Sequence, residues 1–563
     1  MDTDANYIAR HRSFNGCWTC RLRRKRCDER HPVCDTCATL LITCHYGQEK
    51  PDWMDGSEKQ RAMAEQVKIE IKEKAKTYGR RGERERAALV GSAANEPTPP
   101  RTPTTDQGSI PGERSGSVQI TIEGHESPRG CDRVRTSTGG NIAFSASETV
   151  LVSFYLDHVV PFLFPFYRPS PLEGGRSWIL DFLLNSPVKR KGTLSQAAYF
   201  FSLANGENPP PSCTGGDFPI LRRALDVIVG EGVEKHLHGS VRILTGIMQI
   251  MHYEISRGGF DNWSAHLNAA LALFRQILDT ASSEYCSGFI TVFGRLGPGP
   301  QISGIQVPSA EQAAFKFSTA GLLFADIIAS TVQREIPSLY KLYDSLLGGE
   351  TAPIKLEDVI GVQNWVLLGI AEIVSLNAWK QQRRTSGDLD MMELVRRATS
   401  IKEGLSYWLA NLTTISVLKD SRATSGLLDT PSHGDNWISV TMIWGRAALL
   451  YLSIVVNGWQ PASCEVRQNV QEIIKLLSHE LSSPSLLRTV VWPFCVAGCL
   501  AEPQQEFLFC SMVEKLPAAG VFGPVHKAHD IMAKVWRSRD TIDSVNWDLA
   551  LSLKTLDESI LLI

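Results

Sequence analysis

Six cysteines between residues 17 and 44 have the spacing of metal ligands. They form two successive halves with the same C-x2-C-x6-C pattern, made by Cys17, Cys20 and Cys27 and then by Cys34, Cys37 and Cys44. A C-x-x-C turn brings two sulfurs to one ion at a Zn–S distance of about 2.3 Å. Two separate four-sulfur sites would need eight cysteines, so six are enough only if two sulfurs bind both ions. Because Cys17 and Cys34 begin the two halves, the sequence predicts two Zn²⁺ ions bridged by these residues.

A run of cations lies inside the first half. Residues 21–26 read RLRRKR, with five cations in six positions. Six thiolates and two Zn²⁺ leave two net negative charges, which these side chains help to balance. A helix over about residues 20–26 would place Arg21 and Arg24 on one face, with Arg23 and Lys25 beside them. Arg and Lys on a helix in the major groove favour the O6 and N7 acceptors of guanine. The run therefore predicts a DNA-reading helix.

Other uses of these cysteines fit the sequence less well. A disulfide framework is one alternative for six cysteines. However, the chain opens MDTDANYIARHRSF, with no apolar signal segment, so an oxidising compartment is not expected. A RING or a two-Cys two-His finger needs histidine ligands at set spacings, and His31 and His45 match neither pattern.

The run from Cys17 to Asp28, followed by Pro32, resembles the DNA-binding domain of fungal Zn(2)-Cys(6) binuclear zinc-cluster transcription factors. Arg26 stands where that family usually has Lys, which keeps the charge. The resemblance implies two short helices around two Zn²⁺ ions, bridging roles for the first cysteine of each half, and double-stranded DNA as partner. It also implies a nuclear regulator of RNA polymerase II genes that reads CGG-type half-sites.

Six cations are candidates for the DNA contact. By resemblance, Arg23 and Arg24 occupy the positions of the base-reading pair. Phosphate contacts position a protein on DNA without specifying sequence, and four further cations are better placed for that role: Arg21, Lys25, Arg26 and Arg30. A solvated surface charge is the alternative for the outer cations.

Positive charge is concentrated at this end of the chain. The 563 residues carry 58 Lys+Arg against 60 Asp+Glu, so the whole chain is near neutral. Residues 1–90 hold 19 basic and 14 acidic residues, whereas the remainder holds 39 and 46. This distribution favours a localised contact with nucleic acid.

Composition divides the chain into four segments. Residues 12–47 form the predicted zinc-cluster domain, and residues 48–90 a charged helical segment. Residues 91–144 include EPTPPRTPTTD and are too poor in apolar residues to fold, which predicts a disordered linker. Residues 145–563 have a globular composition and are numerous enough for a large core.

The charged helical segment has two interpretations. An apolar edge at four-residue spacing could hold a homodimer through a short coiled coil: Met63, Val67, Ile71 and Ala75. A constant four-residue spacing does not follow the 3.5-residue repeat of a coiled coil, so the apolar edge would rotate away from a partner helix. The alternative is a solvated charged helix. The sequence leaves both open.

Helical periodicity runs through the large region. One stripe within residues 262–278 repeats at helical steps: Trp263, Leu267, Ala270, Leu271, Phe274 and Leu278. Residues 362–376, 437–456 and 470–481 continue the pattern. We therefore expect an all-α domain.

No membrane span is expected. The most apolar stretch recognised, Thr149–Phe166, contains Asp157, His158 and two prolines. It falls short of the roughly 20 uninterrupted apolar residues that a transmembrane helix requires.

Three patches of the large region resemble the second common variant of the fungal-specific transcription factor domain: FY…FP at 154–165, WSAHL at 263–267 and VWPFCVAGC at 491–499. The resemblance implies an all-helical regulatory domain. Activation, repression, ligand sensing, or contact with co-regulators or the transcription machinery could each be its task.

An enzyme is not expected. The sequence lacks a G-x-S-x-G elbow, a G-x4-G-K-[ST] phosphate loop and an H-E-x-x-H zinc site. Trp263 and His266 are interpreted as packing residues, and Cys495 and Cys499 as buried thiols. The alternatives to a transcription regulator are a zinc-dependent scaffold protein and a ligand-sensing receptor whose helical domain binds a small molecule. Five cations beside the cysteines argue against the scaffold.

Overall fold

The computed structural model describes residues 16–23, 25, 27, 29, 34, 37, 42–45, 51–68, 144–207, 225, 228, 230–281, 285–423, 436–479, 481, 484–516, 522–544, 547–554 and 560–563. The chain divides into two compact units at residues 133 and 134. Nearly all of the predicted linker, together with Ile71 and Ala75 of the predicted dimer edge, lies outside the described residues.

The first helix of the N-terminal unit, α1, is shorter than the sequence predicts. It spans Trp18–Leu22, and Lys25 is not helical. The Lys25 amide instead donates to the Cys20 carbonyl over 3.0 Å, which closes a wider turn. The Cys27 sulfur accepts a hydrogen bond from the Cys17 amide over 3.3 Å. An α-helix advances about 1.5 Å per residue, so a helix continued to residue 26 would carry Cys27 too far away.

A second helix, α2, covers the described residues 58–68 and begins at a well-formed cap. Asp55 accepts from the amide and hydroxyl of Ser57 over 2.8 and 2.7 Å, and these bonds hold the pKa of its carboxyl below the usual value. Gly56 has φ +83°, a conformation that favours glycine. Val67 is buried with the cysteines of the same unit. The α2 helix is therefore part of the cysteine module.

The second unit is helical, as predicted. The α-helices that the described residues of this unit form are, in chain order, α3 Ala146–Phe154, α4 Val160–Leu163, α5 Ser177–Asn185, α6 Pro187–Ala204, α7 Leu237–Ser256, α8 Trp263–Asp279, α9 Tyr285–Arg295, α10 Ala310–Gln333, α11 Tyr343–Leu347, α12 Asn364–Ser386, α13 Met391–Ala423, α14 Asn436–Asn457, α15 Cys464–His479, α16 Val491–Cys499, α17 Glu506–Glu514, α18 Gly523–Arg537 and α19 Leu549–Leu553. A π-helical turn, Tyr155–Val159, joins α3 to α4.

The predicted periodicity corresponds to buried helix faces. All six residues of the stripe within 262–278 are buried in α8. The segment predicted at 437–456 is α14, most of which is buried. Trp444 of α14 stacks on Trp492 of α16 with ring centroids 5.5 Å apart, and the Trp492 indole donates to the Thr331 hydroxyl over 3.1 Å. The core of this unit is therefore built on α10, α14 and α16.

Two helices, α10 and α14, are long and apolar enough to cross a membrane by length and composition. Neither helix overlaps Thr149–Phe166, the stretch singled out in the sequence as the most apolar. Within their most apolar windows, 83% and 94% of the residues are buried inside the unit. Both are thus core helices that other helices already cover.

A small hairpin interrupts the helices. Strand β1, Pro298–Ile302, pairs antiparallel with β2, Ile305–Pro308. Ser303 and Gly304 connect them with φ values of +51° and +84°, the positive values typical of a two-residue type I′ turn. These two strands were not predicted from the sequence.

Two glycines in helices test this packing. Gly498 of α16 faces α18, where an added Cβ would overlap the sulfur of the fully buried Met532. We expect Gly498→Ala to destabilise the unit by about 1–3 kcal/mol through overpacking.

The control is Gly404→Ala in α13, where an added Cβ meets no described atom within 4 Å. That change should stabilise by roughly 0.5–1 kcal/mol through helix propensity. Thermal unfolding of the full chain measures both, and equal shifts would contradict the packing described.

Candidate metal centre and nucleic-acid interface

The six cysteine sulfurs form two overlapping groups of four. Within each group the sulfurs lie within 4.8 Å of one another. One group contains Cys17, Cys20, Cys27 and Cys34, and the other contains Cys17, Cys34, Cys37 and Cys44. The groups share Cys17 and Cys34, the two residues that the sequence predicts as bridges.

Distances between the sulfurs suit tetrahedral coordination. The Cys34 sulfur lies 3.7 Å from that of Cys17, 3.6 Å from that of Cys20 and 3.8 Å from that of Cys44. Four sulfurs placed tetrahedrally around an ion at about 2.3 Å are separated by about 3.8 Å. Cys20 and Cys37, from different groups, also approach to 3.9 Å. The sulfurs therefore form one compact cluster whose spacing fits zinc.

The sequence repeat is also a structural repeat. Each half contains the same two amide-to-sulfur hydrogen bonds, displaced along the chain from one half to the other. In the first half Cys20 N donates to Cys17 Sγ and Cys17 N to Cys27 Sγ, both over 3.3 Å; the matching bonds are Cys37 N to Cys34 Sγ (3.4 Å) and Cys34 N to Cys44 Sγ (3.5 Å). Hydrogen bonds of this kind favour the thiolate over the thiol.

Burial opposes ionisation of the same thiols. It raises the pKa of Cys20 to about 11 and also raises the pKa values of Cys17 and Cys37. At Cys34 burial raises the pKa too, but the Cys37 amide and the neighbouring sulfurs outweigh it and lower the pKa to about 7. Buried thiols this close need a cation if all are to be anionic, and a divalent metal supplies that charge.

Thr19 ties the two halves together, a role that the sequence analysis missed. Its buried hydroxyl donates to the Thr43 carbonyl over 2.9 Å and lies 3.1 Å from the His45 amide, from which it accepts. The Trp18 amide donates to the His45 carbonyl over 2.8 Å, and the His45 ring packs edge-on against Trp53 at 5.5 Å. His45 therefore has a packing role in this module. A threonine between two cysteines gives no signal from which this could have been found.

Three of the six predicted DNA-contacting cations are described. Arg21 is half-buried, and its guanidinium lies 4.5 Å from the centroid of the Trp18 ring, a cation–π contact. Arg23 is half-buried at the end of α1, and Lys25 is exposed in the turn that follows. Arg24, Arg26 and Arg30 lie outside the described residues. The structure thus places Arg21, Arg23 and Lys25 at or just beyond α1, beside the sulfur cluster.

The residues singled out in the large unit pack as expected. Trp263 is buried, and the His266 Nε2 lies 3.2 Å from the Glu254 carboxylate on the neighbouring helix. Cys495 and Cys499 are buried free cysteines. The neighbouring Cys499 thiol and burial raise the pKa of Cys495 well above its usual value, which keeps this thiol protonated.

Comparison with known families accounts for both units. Residues 15–53 match the fungal Zn(2)-Cys(6) binuclear cluster domain, and residues 150–563 match the fungal specific transcription factor domain. Because the second match spans more than half of the sequence, the chain belongs to the fungal-specific transcription factor family. It is a DNA-binding transcription regulator and not an enzyme. Domains of the binuclear cluster class bind two zinc ions and DNA, and regulators that carry them are generally nuclear.

Individual relatives agree with this class. The transcription factor dibT of Pestalotiopsis microspora is 33% identical over 97% of this chain and 99% of its own. The pestheic acid cluster transcriptional regulator 3 of Pestalotiopsis fici is 24% identical, over 96% and 98%. The ustiloxin B cluster transcription factor ustR of Aspergillus flavus is 26% identical, over 98% and 99%. No solved structure matches this chain.

Proposed function

We propose that the chain regulates transcription through a module in which all six cysteines are ligands of two Zn²⁺ ions. Cys17 and Cys34 bridge the ions, Cys20 and Cys27 complete one site, and Cys37 and Cys44 complete the other. The observation that carries this proposal is the pair of four-sulfur groups with Cys17 and Cys34 in common. The sulfur separations of 3.6–3.8 Å support it, because they suit tetrahedral zinc.

The DNA contact is assigned to the cations that lie among or next to these cysteines in the sequence. Arg23 and Arg24 read the guanines of a CGG-type half-site, while four others contact phosphates: Arg21, Lys25, Arg26 and Arg30. Lys25 is exposed, which suits a phosphate contact. Arg21 is oriented by Trp18, so its charge is held close to α1. Arg23, Arg24, Arg26 and Arg30 are assigned their DNA contacts from their positions in the sequence alone.

The biological role proposed is control of one biosynthetic gene cluster from the nucleus. Support comes from two relatives that cover nearly the whole chain and are named after the pestheic acid and ustiloxin B clusters. Contact with co-regulators is assigned to the large helical unit. Homodimerisation on paired half-sites is also proposed, but Val67 is buried against the cysteines of its own chain. The α2 helix is therefore assigned first to completing the module.

Cysteine substitutions test the shared-sulfur arrangement. Cys34→Ala removes a ligand of both ions, so we expect the full chain to retain neither zinc. Cys44→Ala removes a ligand from one group only, so we expect it to retain up to one ion. Native mass spectrometry and elemental analysis give the stoichiometry. A single zinc in the unsubstituted protein, or the same loss from both variants, would rule the arrangement out.

Arginine and lysine substitutions test the division of the DNA contacts. Arg24→Ala should cost about 1–3 kcal/mol on a CGG site and relax the preference for its guanines. Lys25→Ala should weaken binding to specific and scrambled duplexes alike and reduce the salt slope by about one unit. Fluorescence anisotropy across a salt series measures both effects. If the two variants behaved alike on the two duplexes, the assignment of base and phosphate contacts would be wrong.

Genome-wide occupancy tests the biological role. We expect chromatin-bound protein at promoters of one contiguous biosynthetic cluster, with a CGG-type motif under the peaks. The Cys34→Ala chain is the matched control and should lose those peaks while being expressed at a similar level. Peaks scattered over unrelated genes would argue against a cluster-specific regulator, and peaks retained by the variant would argue against zinc-dependent recognition.

A further inference from the structure

An apolar cleft lies within the large helical unit, among α4, α5, α6, α7 and α10. It contains about 710 Å³ of space between atoms, part of which opens to solvent. Aromatic side chains form much of its wall: Tyr155, Phe164, Trp178, Phe182 and Phe317. Phe317 packs edge-on against Phe164 at 4.9 Å and lies 5.4 Å from Trp178, so three of these rings form one surface.

A lysine lies in this apolar cleft without an acidic partner. The Lys189 ammonium donates to the side-chain oxygen of Gln249 and, over 3.4 Å, to the Thr245 carbonyl. Both acceptors are neutral, and no described carboxylate makes an ion pair with Lys189 or lines the cleft. An ammonium has three donors, so two acceptors leave one N–H available. Lys189 is half-buried, and a charge withdrawn from water without a counter-ion is costly. This desolvation lowers the pKa of Lys189 to about 7.

Neighbouring side chains hold this lysine in place. The Gln249 amide nitrogen contacts the Tyr155 and Thr193 hydroxyl oxygens, both over 3.1 Å, and the Gln196 side-chain oxygen over 2.9 Å. The amide hydrogens of Gln249 are therefore committed, and its oxygen is left to accept from Lys189. This network fixes the ammonium at one side of the cleft, opposite apolar walls.

Two other titratable groups line the cleft, and both are neutral. Burial raises the pKa of the Tyr155 hydroxyl. The ring of His252 is bonded through Nδ1 to the Met248 carbonyl over 2.8 Å. Burial lowers the pKa of His252, and the positive charge of Arg488 lowers it further. The cleft thus combines aromatic walls with one positioned amine, whose charged form a bound carboxylate would stabilise. This combination is the complement of a small aromatic acid.

We propose that this cleft binds a monocyclic aromatic carboxylate whose carboxylate pairs with Lys189 and whose ring packs against Phe164, Trp178 and Phe317. The ligand supplies the missing counter-ion and fills the third donor position. Its ring takes edge-to-face contacts, which aromatic pairs favour. The inference goes beyond the proposed DNA contact and does not depend on it, since every residue involved lies in the large unit.

Ligand-induced stabilisation of the full chain tests this proposal. The probes are benzoate and phenylacetate, with benzamide as the uncharged analogue and octanoate as an acid without a ring. We expect both aromatic acids to raise the unfolding temperature with increasing concentration, and benzamide and octanoate to have little effect. Titration calorimetry gives the affinities under the same conditions.

Two lysine variants separate the specific contact from general effects of charge. Lys189→Met keeps an unbranched side chain as far as Cε and removes the ammonium, so benzoate should bind roughly 10- to 100-fold more weakly, as expected for loss of a charged hydrogen bond. Lys380→Met is the matched control. Burial also lowers the pKa of Lys380, which donates to the Val455 carbonyl over 2.6 Å and does not line the cleft. This variant should bind benzoate normally.

Four results would overturn the proposal. Equal affinities for benzoate and benzamide would show that the carboxylate charge does not contribute to binding. A higher affinity for octanoate than for benzoate would show that the aromatic side chains do not select an aromatic ring. Unchanged benzoate binding by Lys189→Met would place the acid elsewhere. A failure of both aromatic acids to bind at millimolar concentration would exclude this class of ligand. None of these results bears on zinc stoichiometry or DNA binding, which are measured separately.

Discussion

The crowding of six sulfurs is the constraint on which the N-terminal module depends. Among the described residues, its buried apolar cluster consists of five cysteines with Ile42 and Val67, and Cys44 packs against them. So small a cluster buries too little apolar surface to stabilise a fold by itself. Amide hydrogen bonds favour the anionic sulfurs, whereas burial and mutual repulsion oppose them. A dication resolves this conflict, which makes metal binding and folding one equilibrium in a module of this kind.

The same constraint determines where the cations can be. Because Cys27 must return to the cluster, α1 ends at Leu22 and the Lys25 amide closes a turn onto the Cys20 carbonyl. Arg21 and Arg23 are thereby kept at the helix and Lys25 in the turn, all close to sulfurs whose proposed zinc complex would carry net negative charge. These cations would repel one another in an isolated peptide, but the negative charge of the proposed zinc–thiolate complex would offset that repulsion here. The positive charge remains local, since the rest of the chain is acidic on balance.

Two kinds of feature could be predicted from the sequence: those that follow from the number of metal-ligand residues and those that follow from the periodicity of apolar residues. The number of cysteines implied a shared-sulfur cluster, and the apolar repeat in residues 262–278 predicted the buried face of α8. Features that depend on which elements meet in space could not be predicted. Thr19 resembles any threonine in a turn until its hydroxyl is seen between the two halves of the repeat. Lys189, followed by Arg190 and Lys191, resembles a solvated cation, yet α6 turns this lysine toward Gln249 in the cleft.

The cost of a buried ammonium argues that the cleft has a function beyond packing. The cleft is lined by Phe182, Met248 and Phe317, and an apolar side chain at the half-buried position 189 would need no counter-ion there, whereas the Lys189 ammonium does. Gln249, Thr193 and Gln196 serve to hold that amine in one place. A ligand that neutralises it would stabilise the arrangement of α5, α6, α7 and α10 by its binding free energy. It could regulate the protein only to the extent that another arrangement binds it less tightly. An acid that raises the unfolding temperature through Lys189 would therefore identify the cleft as a binding site, and a difference in affinity between two arrangements of the unit would make that site a sensor.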